Sequence, residues 1–290
     1  MAVISRRRML KESAVVAGAL SCAPLYPLFA SEKRTYQIGA CDWSIGHHSE
    51  VEAMATAQKI GLDGVQISLG KTENNMHLRQ KEIQQAYKEA VKKYKVKVSS
   101  LAIGELNQVP YKSAPETIAW VSDSIDVAKA MEVSVVLLAF FGNGDLKGDT
   151  QGTQEVIRRL KEVAPKAESQ GITLGIESWL SADEHLEIIE AVGSPNVRVY
   201  YDVANSHKMG YDIYEEMQRL GSEYICEVHA KENGYLLGKG QIDFERVKAI
   251  LDDINYQGWV IIEGAIPEGM EMMEAYQANC QYVQSVFNQA

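Results

Sequence analysis

The sequence predicts an α/β fold, a single (β/α)8 barrel of the TIM type, and three observations carry that expectation. From Thr35 onward, apolar runs rich in β-branched residues alternate with longer segments of helical period, and eight such pairs follow one another. Several of the helical segments close on a glycine just before the next strand, at Ile60-Gly61, Gln170-Gly171, Val192-Gly193 and Leu220-Gly221. A glycine there is the expected left-handed helix stop. Third, no Pro/Gly/Ser-rich linker or charge run divides the chain, so about 260 residues are available to one core. A doubly wound open sheet is the competing architecture; it is disfavoured because no GxGxxG segment follows the first strand.

Taken in order, the first predicted unit pairs a strand at Tyr36–Trp43 with a helix at Val51–Ile60. The second pairs Gly64–Leu69 with Glu82–Tyr94, and the third Val96–Ile103 with Pro115–Met131. In the fourth, Ser134–Phe141 precedes Thr153–Gln170; its Val135-Val136-Leu137-Leu138-Ala139 run is apolar on both faces, as a sheet covered by helices outside and filled inside requires. Thr173–Trp179 and Asp183–Val192 make the fifth unit, Val197–Val203 and Tyr214–Leu220 the sixth. Ile225–Lys231 and Phe244–Ile254 make the seventh, and Trp259–Gly264 leads into a C-terminal helix from about Gly269.

The first thirty residues read differently. Ser5-Arg6-Arg7-Arg8-Met9-Leu10-Lys11 matches a twin-arginine export signature, and the apolar run Ala14 to Ala23 is too short to span a bilayer. Pro24, Pro27 and the lack of polar residues from Ala14 to Leu20 speak against a basic amphipathic helix of the folded domain. The expected division is a signal segment over residues 1–30 and a barrel over 31–290, with cleavage near Ala30 and a periplasmic or exported product. Cys22 after Ala19-Leu20-Ser21 is a poor lipoprotein box, which leaves a lipid-anchored form as the minor alternative.

Removing residues 1–30 takes away Arg6, Arg7, Arg8 and Lys11 against Glu12, a net +3, and moves the formal charge from -10 to -13. Such a field repels phosphodiester backbones, so nucleic acid is not an expected partner. No membrane span is expected either. The other cysteines, Cys41, Cys226 and Cys280, are odd in number and lack CxxC spacing, which favours buried thiols over a disulfide framework. A homo-oligomer is compatible with the sequence but not specified by it.

In a (β/α)8 barrel the active site lies at the C-terminal ends of the strands, and here four consecutive strands end in candidate ligands. Strand five ends Gly175-Ile176-Glu177-Ser178-Trp179 and strand six Tyr200-Tyr201-Asp202-Val203; strand seven carries Glu227-Val228-His229-Ala230-Lys231 and strand eight Ile261-Ile262-Glu263-Gly264. A charge embedded in an apolar strand costs several kcal/mol unless it is paired or bound to a metal. One such residue alone is most simply a salt-bridge partner inside the barrel; four in register point to a metal. Two glutamates, an aspartate and a histidine suit one divalent ion, Mn2+, Mg2+, Co2+ or Zn2+. Lys231, two residues beyond His229, projects to the same side of the strand and is placed to polarise a carbonyl, with a solvated loop lysine as the bland alternative. Trp43 and Trp179 close strands one and five and could stack on a ligand ring or simply pack the barrel top. Glu105, after strand three, is a candidate pocket residue. His47 and His48 read as exposed loop histidines, and His77 and His185 as structural ones.

These residues resemble a family. Glu177, Asp202, His229 and Glu263, each closing a strand, look like the metal ligands of the sugar phosphate isomerase/epimerase family, within the xylose isomerase-like barrel superfamily that includes ketose 3-epimerases and hydroxypyruvate isomerase. The resemblance covers residues 35–290. His229-Ala230-Lys231-Glu232 resembles the family's H-x-K-[DE] segment, and Gly238-Lys239-Gly240-Gln241-Ile242-Asp243-Phe244 its GxG-x-[IV]-D-[FW] segment. It implies that Glu177 and Glu263 also transfer protons, through an enediolate-type intermediate stabilised by the metal. Many ketose epimerases have a histidine three residues after the strand-six aspartate; this chain has Asn205 there, with His207 two further on, and both are candidate substrate contacts.

The resemblance implies an enzyme acting on a small carbohydrate, an isomerase or epimerase of a ketose or related keto sugar. A lyase or dehydratase that eliminates from a 3-keto sugar or glycoside needs the same enolate. Export favours an unphosphorylated substrate. The predicted barrel-top loops hold Lys71, Lys112, Lys147, Lys208 and Lys239 but only Arg79 among arginines, so no bidentate phosphate clamp is evident. Metal-dependent phosphoester hydrolysis is disfavoured by six histidines in total and the negative charge. A silent sugar-binding module is disfavoured by both proton-transfer glutamates.

Overall fold

The computed structural model describes residues 36–288. Eight parallel strands close into a barrel in chain order: β1 Ile38–Cys41, β2 Gly64–Ser68, β3 Lys97–Ile103, β4 Val135–Phe140, β5 Thr173–Ser178, β6 Val197–Asp202, β7 Ile225–Glu232 and β8 Val260–Gly264. Closure is made by β1 on β8, where Gly39 lies opposite Ile261. The helices between them are α1 Ala53–Ile60, α2 Lys81–Tyr94, α3 Glu116–Met131, α4 Thr150–Gln170, α5 Ala182–Val192, α6 Val203–Lys208, α7 Ile213–Tyr224, α8 Phe244–Asp253 and α9 Met272–Phe287. Among the described residues no helix is long and apolar enough to cross a membrane. The segment expected to direct export, residues 1–30, lies outside the described residues.

Three of the four expected glycine stops hold, Gly61, Gly171 and Gly193 taking left-handed φ of 96°, 69° and 75°, whereas Gly221, with φ 61° and ψ 179°, kinks α7 and does not end it. Helices α2 and α3 instead stop on Lys95 and Glu132 in the same left-handed conformation, which their side chains adopt at some strain. Two boundaries differ from the sequence expectation because of capping. Asp149 accepts from Gly152 N at 2.8 Å, so α4 begins at Thr150 rather than Thr153. Asp202 Oδ1 accepts from Ala204 N and Asn205 N, each at 2.8 Å, so β6 ends at Asp202 and turns directly into α6, a helix the sequence pattern did not reveal.

The core has two parts. An outer shell, including Ile67, Leu101, Val136, Leu174 and Val199, fills the space between strands and helices. The barrel interior is apolar on one side only, where Ala102, Val135, Leu137 and Ala139 pack against Tyr200. A Cβ at Gly175 would lie 2.7 Å from Cys226 Sγ and 3.1 Å from Tyr200 Cβ. The bare β5 backbone at that point therefore leaves room for Tyr200 to cross the barrel and meet Gln66 of β2 at 2.9 Å. Cys41, Cys226 and Cys280 are free thiols, as expected.

The Gly238–Phe244 segment folds back on the end of β7. Ile242 N donates to Glu232 Oε1 at 2.9 Å, and a Cβ at Gly240 would fall on that same carboxylate. The small residue and the buried glutamate thus pin the loop after β7 to the end of that strand.

Candidate metal centre and active site

Strand register brings the expected ligands together. Asp202 of β6 lies opposite His229 of β7, and Lys231 of β7 lies opposite Glu263 of β8. Because alternate residues of a strand share a face, His229 and Lys231 point into the same mouth. Glu177, Asp202, His229 and Glu263 each offer one ligand atom, and these atoms all lie within 4.8 Å of one another. His229 Nδ1 is 3.1 Å from Glu177 Oε1, 3.4 Å from Glu263 Oε2 and 3.8 Å from Asp202 Oδ2. Lys231 Nζ completes the group, 2.9 Å from Glu263 Oε2 and 3.4 Å from Asp202 Oδ2.

Three carboxylates in one buried space demand compensation. Burial pushes the Asp202 carboxyl up to about 7, against the pull of Lys231. Glu263 is pushed up by burial as well, but His229 and Lys231 outweigh this and hold it down at about 2. Burial disfavours the His229 imidazolium, yet Glu177 and Glu263 raise it to about 9. Lys231 is likewise disfavoured by burial and held charged by Asp202 and Glu263, well above the usual lysine range. With neutral imidazole, one divalent cation and the lysine ammonium balance the three carboxylates.

A divalent ion fits this donor set. Asp202 is fully occupied on one side, where Oδ1 caps α6, while its buried Oδ2 has no hydrogen-bond partner and faces the other ligands. Hard carboxylate oxygens with one imidazole nitrogen suit Mn2+, Mg2+, Co2+ or Zn2+. The residues that would hold it are Glu177, Asp202, His229 and Glu263.

A cavity of about 480 Å³ opens over the cluster and is lined by Trp43, Glu105, Trp179, Asn205, Lys231 and Phe141, among others. Trp43 does more than pack: its Nε1 donates to Glu263 Oε1 at 2.9 Å. Trp179 stands edge-on to Phe141 at 4.9 Å, and its carbonyl accepts from Tyr211 OH at 3.0 Å. Asn205 Nδ2 reaches Glu177 Oε1 at 3.4 Å, and Glu105 accepts from Thr72 Oγ1 at 2.9 Å.

His207 does not line this cavity. Two residues along a helix rotate a side chain by about 200°, so with Asn205 facing the site α6 turns His207 away. His48, expected to be an exposed loop residue, lines the cavity half-buried; burial, then Lys71, lowers its pKa and keeps it neutral. His47 bonds to Thr56 and Glu50 outside the site. His185 is buried against Ser178 and the Ser181 carbonyl, a structural role as expected.

Two contributions were missed. Phe141, Asn107 and Gln108 line the cavity from the β3 and β4 side, where only the apolar run before Phe141 gave a signal. Gln66 lies beneath the cluster, its Oε1 3.0 Å from His229 Nε2. A lone polar residue at the centre of Gly64-Val65-Gln66-Ile67-Ser68 was the available clue.

Comparison with known proteins agrees with the fold. The L-ribulose-5-phosphate 3-epimerase of Escherichia coli is 23% identical over 231 residues, which cover 73% of this chain and 81% of that protein. A D-psicose 3-epimerase of Enterocloster bolteae is 24% identical over 136 residues, and there the match spans 44% of either chain, less than half of that relative. Among solved structures, the D-psicose 3-epimerase of Clostridium cellulolyticum with D-tagatose superposes with a TM-score of 0.74 at 17% identity, covering 87% of this chain and 100% of that one. A family model described as xylose isomerase-like TIM barrel matches residues 54–285. The chain belongs to the xylose isomerase-like TIM barrel family.

Proposed function

We propose that this chain is a metal-dependent isomerase or epimerase acting on an unphosphorylated ketose or related keto sugar. The observation that carries the reading is the convergence of Glu177, Asp202, His229 and Glu263 on one point at the floor of a cavity. Sugar epimerases among the relatives support the reaction class.

A divalent ion, when bound, supplies Lewis-acid stabilisation of the negative charge that develops on the substrate oxygens during proton transfer. The chain's own residues do the rest. Glu177 and Glu263 come from non-adjacent strands and act as the pair that removes a carbon-bound proton and returns it. Trp43 and Lys231 hold Glu263 in place, and Asn205 orients Glu177. Lys231 also faces the cavity, where its ammonium polarises a substrate carbonyl oxygen. Trp179 and Phe141 offer apolar surface to the non-reacting part of the sugar.

The cavity lining favours a substrate without phosphate. Lys231 is the one cationic side chain among the described cavity residues, and it is already engaged by two carboxylates. A phosphate would instead meet Glu105. The second reading is a lyase or dehydratase acting on a 3-keto sugar or glycoside. It is favoured by the extension of the cavity past the cluster to Asn107, Gln108 and Phe141, which leaves space for a leaving group. We also propose export through the twin-arginine route with loss of residues 1–30, to the periplasm or, as the minor form, to a lipid anchor. An intact Met1 in the exported fraction would contradict this.

The test is to incubate metal-loaded protein in heavy water with ketoses, 3-keto-glycosides and their phosphates, following deuterium at each carbon by NMR. Epimerisation places deuterium on one carbon beside the carbonyl of an unphosphorylated sugar and stops with a chelator. Elimination releases the leaving group instead. Exchange confined to phosphorylated sugars would overturn the substrate reading, and hydrolysis without exchange would overturn the reaction.

A further inference from the structure

Below the metal centre lies a second polar layer that the proposed chemistry does not use. Gln66, Ser100, Tyr200, Glu227, Cys41 and His229 are each at most 1% exposed. They come from β1, β2, β3, β6 and β7, so the layer crosses the whole barrel.

Hydrogen-bond roles in this layer run in one direction. Ser100 Oγ donates to Glu227 Oε2 at 2.6 Å. With its hydrogen committed there, the Ser100 oxygen is left as an acceptor. Gln66 Nε2 donates one hydrogen to Ser100 Oγ at 3.1 Å and the other to Tyr200 OH at 2.9 Å. The amide is thereby fixed in orientation, and its Oε1 faces His229 Nε2 at 3.0 Å. The Cys41 thiol also donates to this oxygen, at 3.3 Å. An amide oxygen only accepts, so Nε2 of His229 carries a hydrogen, and once the imidazole is neutral, as metal binding requires, the lone pair is left on Nδ1, the nitrogen that faces the carboxylate cluster.

We infer that Gln66 is the positioning residue of the metal centre: oriented by the buried Glu227 through Ser100, with the Tyr200 hydroxyl as its second acceptor, it fixes His229 as the Nε2–H tautomer that offers Nδ1 to the metal. The inference rests on the metal-site reading above. Outer partners of ligating histidines commonly set ring orientation and tautomer, and their loss weakens metal binding by roughly 10–100-fold. What the geometry adds is the source of the orientation, a carboxylate two residues before the ligand on the same strand. Flipping the Gln66 amide would set an NH2 group against the Nε2 hydrogen and leave both hydroxyls without their donor.

The experiment compares Mn2+ affinity, by calorimetry, in the full-length protein and in Gln66→Met and Gln66→Glu. Methionine keeps the volume and removes the acceptor, whereas glutamate keeps an acceptor oxygen for Nε2. Gln66→Met should bind Mn2+ roughly 10–100-fold more weakly, with Gln66→Glu within a few-fold of wild type. Equal weakening in both variants, or wild-type affinity in Gln66→Met, would overturn the inference. A measurement free of substitutions reads the tautomer directly: in Zn2+-loaded protein with 15N-labelled histidine, His229 should show a slowly exchanging Nε2 proton and a metal-shifted Nδ1. A proton on Nδ1 would overturn it. Wild-type protein that binds neither ion would instead sink the metal-site reading itself.

Discussion

The two halves of the barrel mouth solve opposite problems, and two aspartates show how. On the β1 side, Asp42 is buried at a strand end but accepts from Ser68 N and Ser68 Oγ, both at 2.8 Å, and from Ser49 N at 3.1 Å. Burial pushes its carboxyl up to about 6, and those bonds hold back a larger rise. On the β6 side, Asp202 satisfies one oxygen on the α6 backbone and leaves the other without a hydrogen bond, among two more carboxylates. A protein that needed only stability would finish Asp202 as it finishes Asp42. The proposed cation would complete that open valence, and the largely neutral wall opposite, where Phe141, Asn107 and Gln108 stand beside Glu105, would receive the proposed sugar.

The sharpest way to break this contrast is His229→Ala. It removes the one nitrogen ligand and should abolish activity and metal binding together. The affinity loss should exceed the roughly 100-fold upper range for losing an outer partner, as read by calorimetry. Glu177→Gln and Glu263→Gln should behave differently, keeping part of the metal affinity while turnover falls about 10²–10⁴-fold. If both variants exchange substrate protons at the wild-type rate, the two-carboxylate mechanism is wrong.

Asp42→Ala probes the other half. It leaves three buried donors without their acceptor and should cost about 2–3 kcal/mol of stability in chemical denaturation, with Mn2+ affinity unchanged. Matching losses of stability and affinity would show that the two halves are not separate. The pH dependence separates them again. Without metal, His229 holds its proton up to about 9 and Asp202 up to about 7. Metal must displace those protons, so affinity should rise about tenfold per pH unit toward pH 9, more steeply below 7, and then level off. Affinity independent of pH from 6 to 9 would contradict this charge assignment. The smallest effect is expected from Phe141→Ala, which should raise KM by roughly 2–10-fold with kcat unchanged, the scale of one aromatic contact.

The same contrast explains what could be read from the sequence. Glu177, Asp202, His229 and Glu263 were readable because a charge closing an apolar strand is costly, and four of them in successive strands of one barrel share a mouth. Gln66 and Glu227 were not, because their meaning depends on a contact across the barrel between residues 163 apart, Gln66 and His229, which no local pattern encodes. Glu227 stood in view at two residues before His229, on the same face. His207 and His48 exchanged their expected places for local reasons: α6 starts at the Asp202 cap and turns His207 away, and the loop after β1 is pinned by Asp42 to Ser49. The loops of the neutral wall carry few charges, so their side chains gave little to read.

On this reading, Asp202 Oδ2, which lacks a hydrogen bond, and its three neighbours Glu177, His229 and Glu263 form one metal site. Anomalous diffraction from crystals grown with Mn2+ tests it most directly. A single strong peak should lie within roughly 2.0–2.3 Å of Glu177, Asp202, Glu263 and His229 Nδ1, with Lys231 beside it and not bound to it. Crystals at saturating Mn2+ with no peak there, and with Lys231 alone still bridging Asp202 and Glu263, would contradict the account.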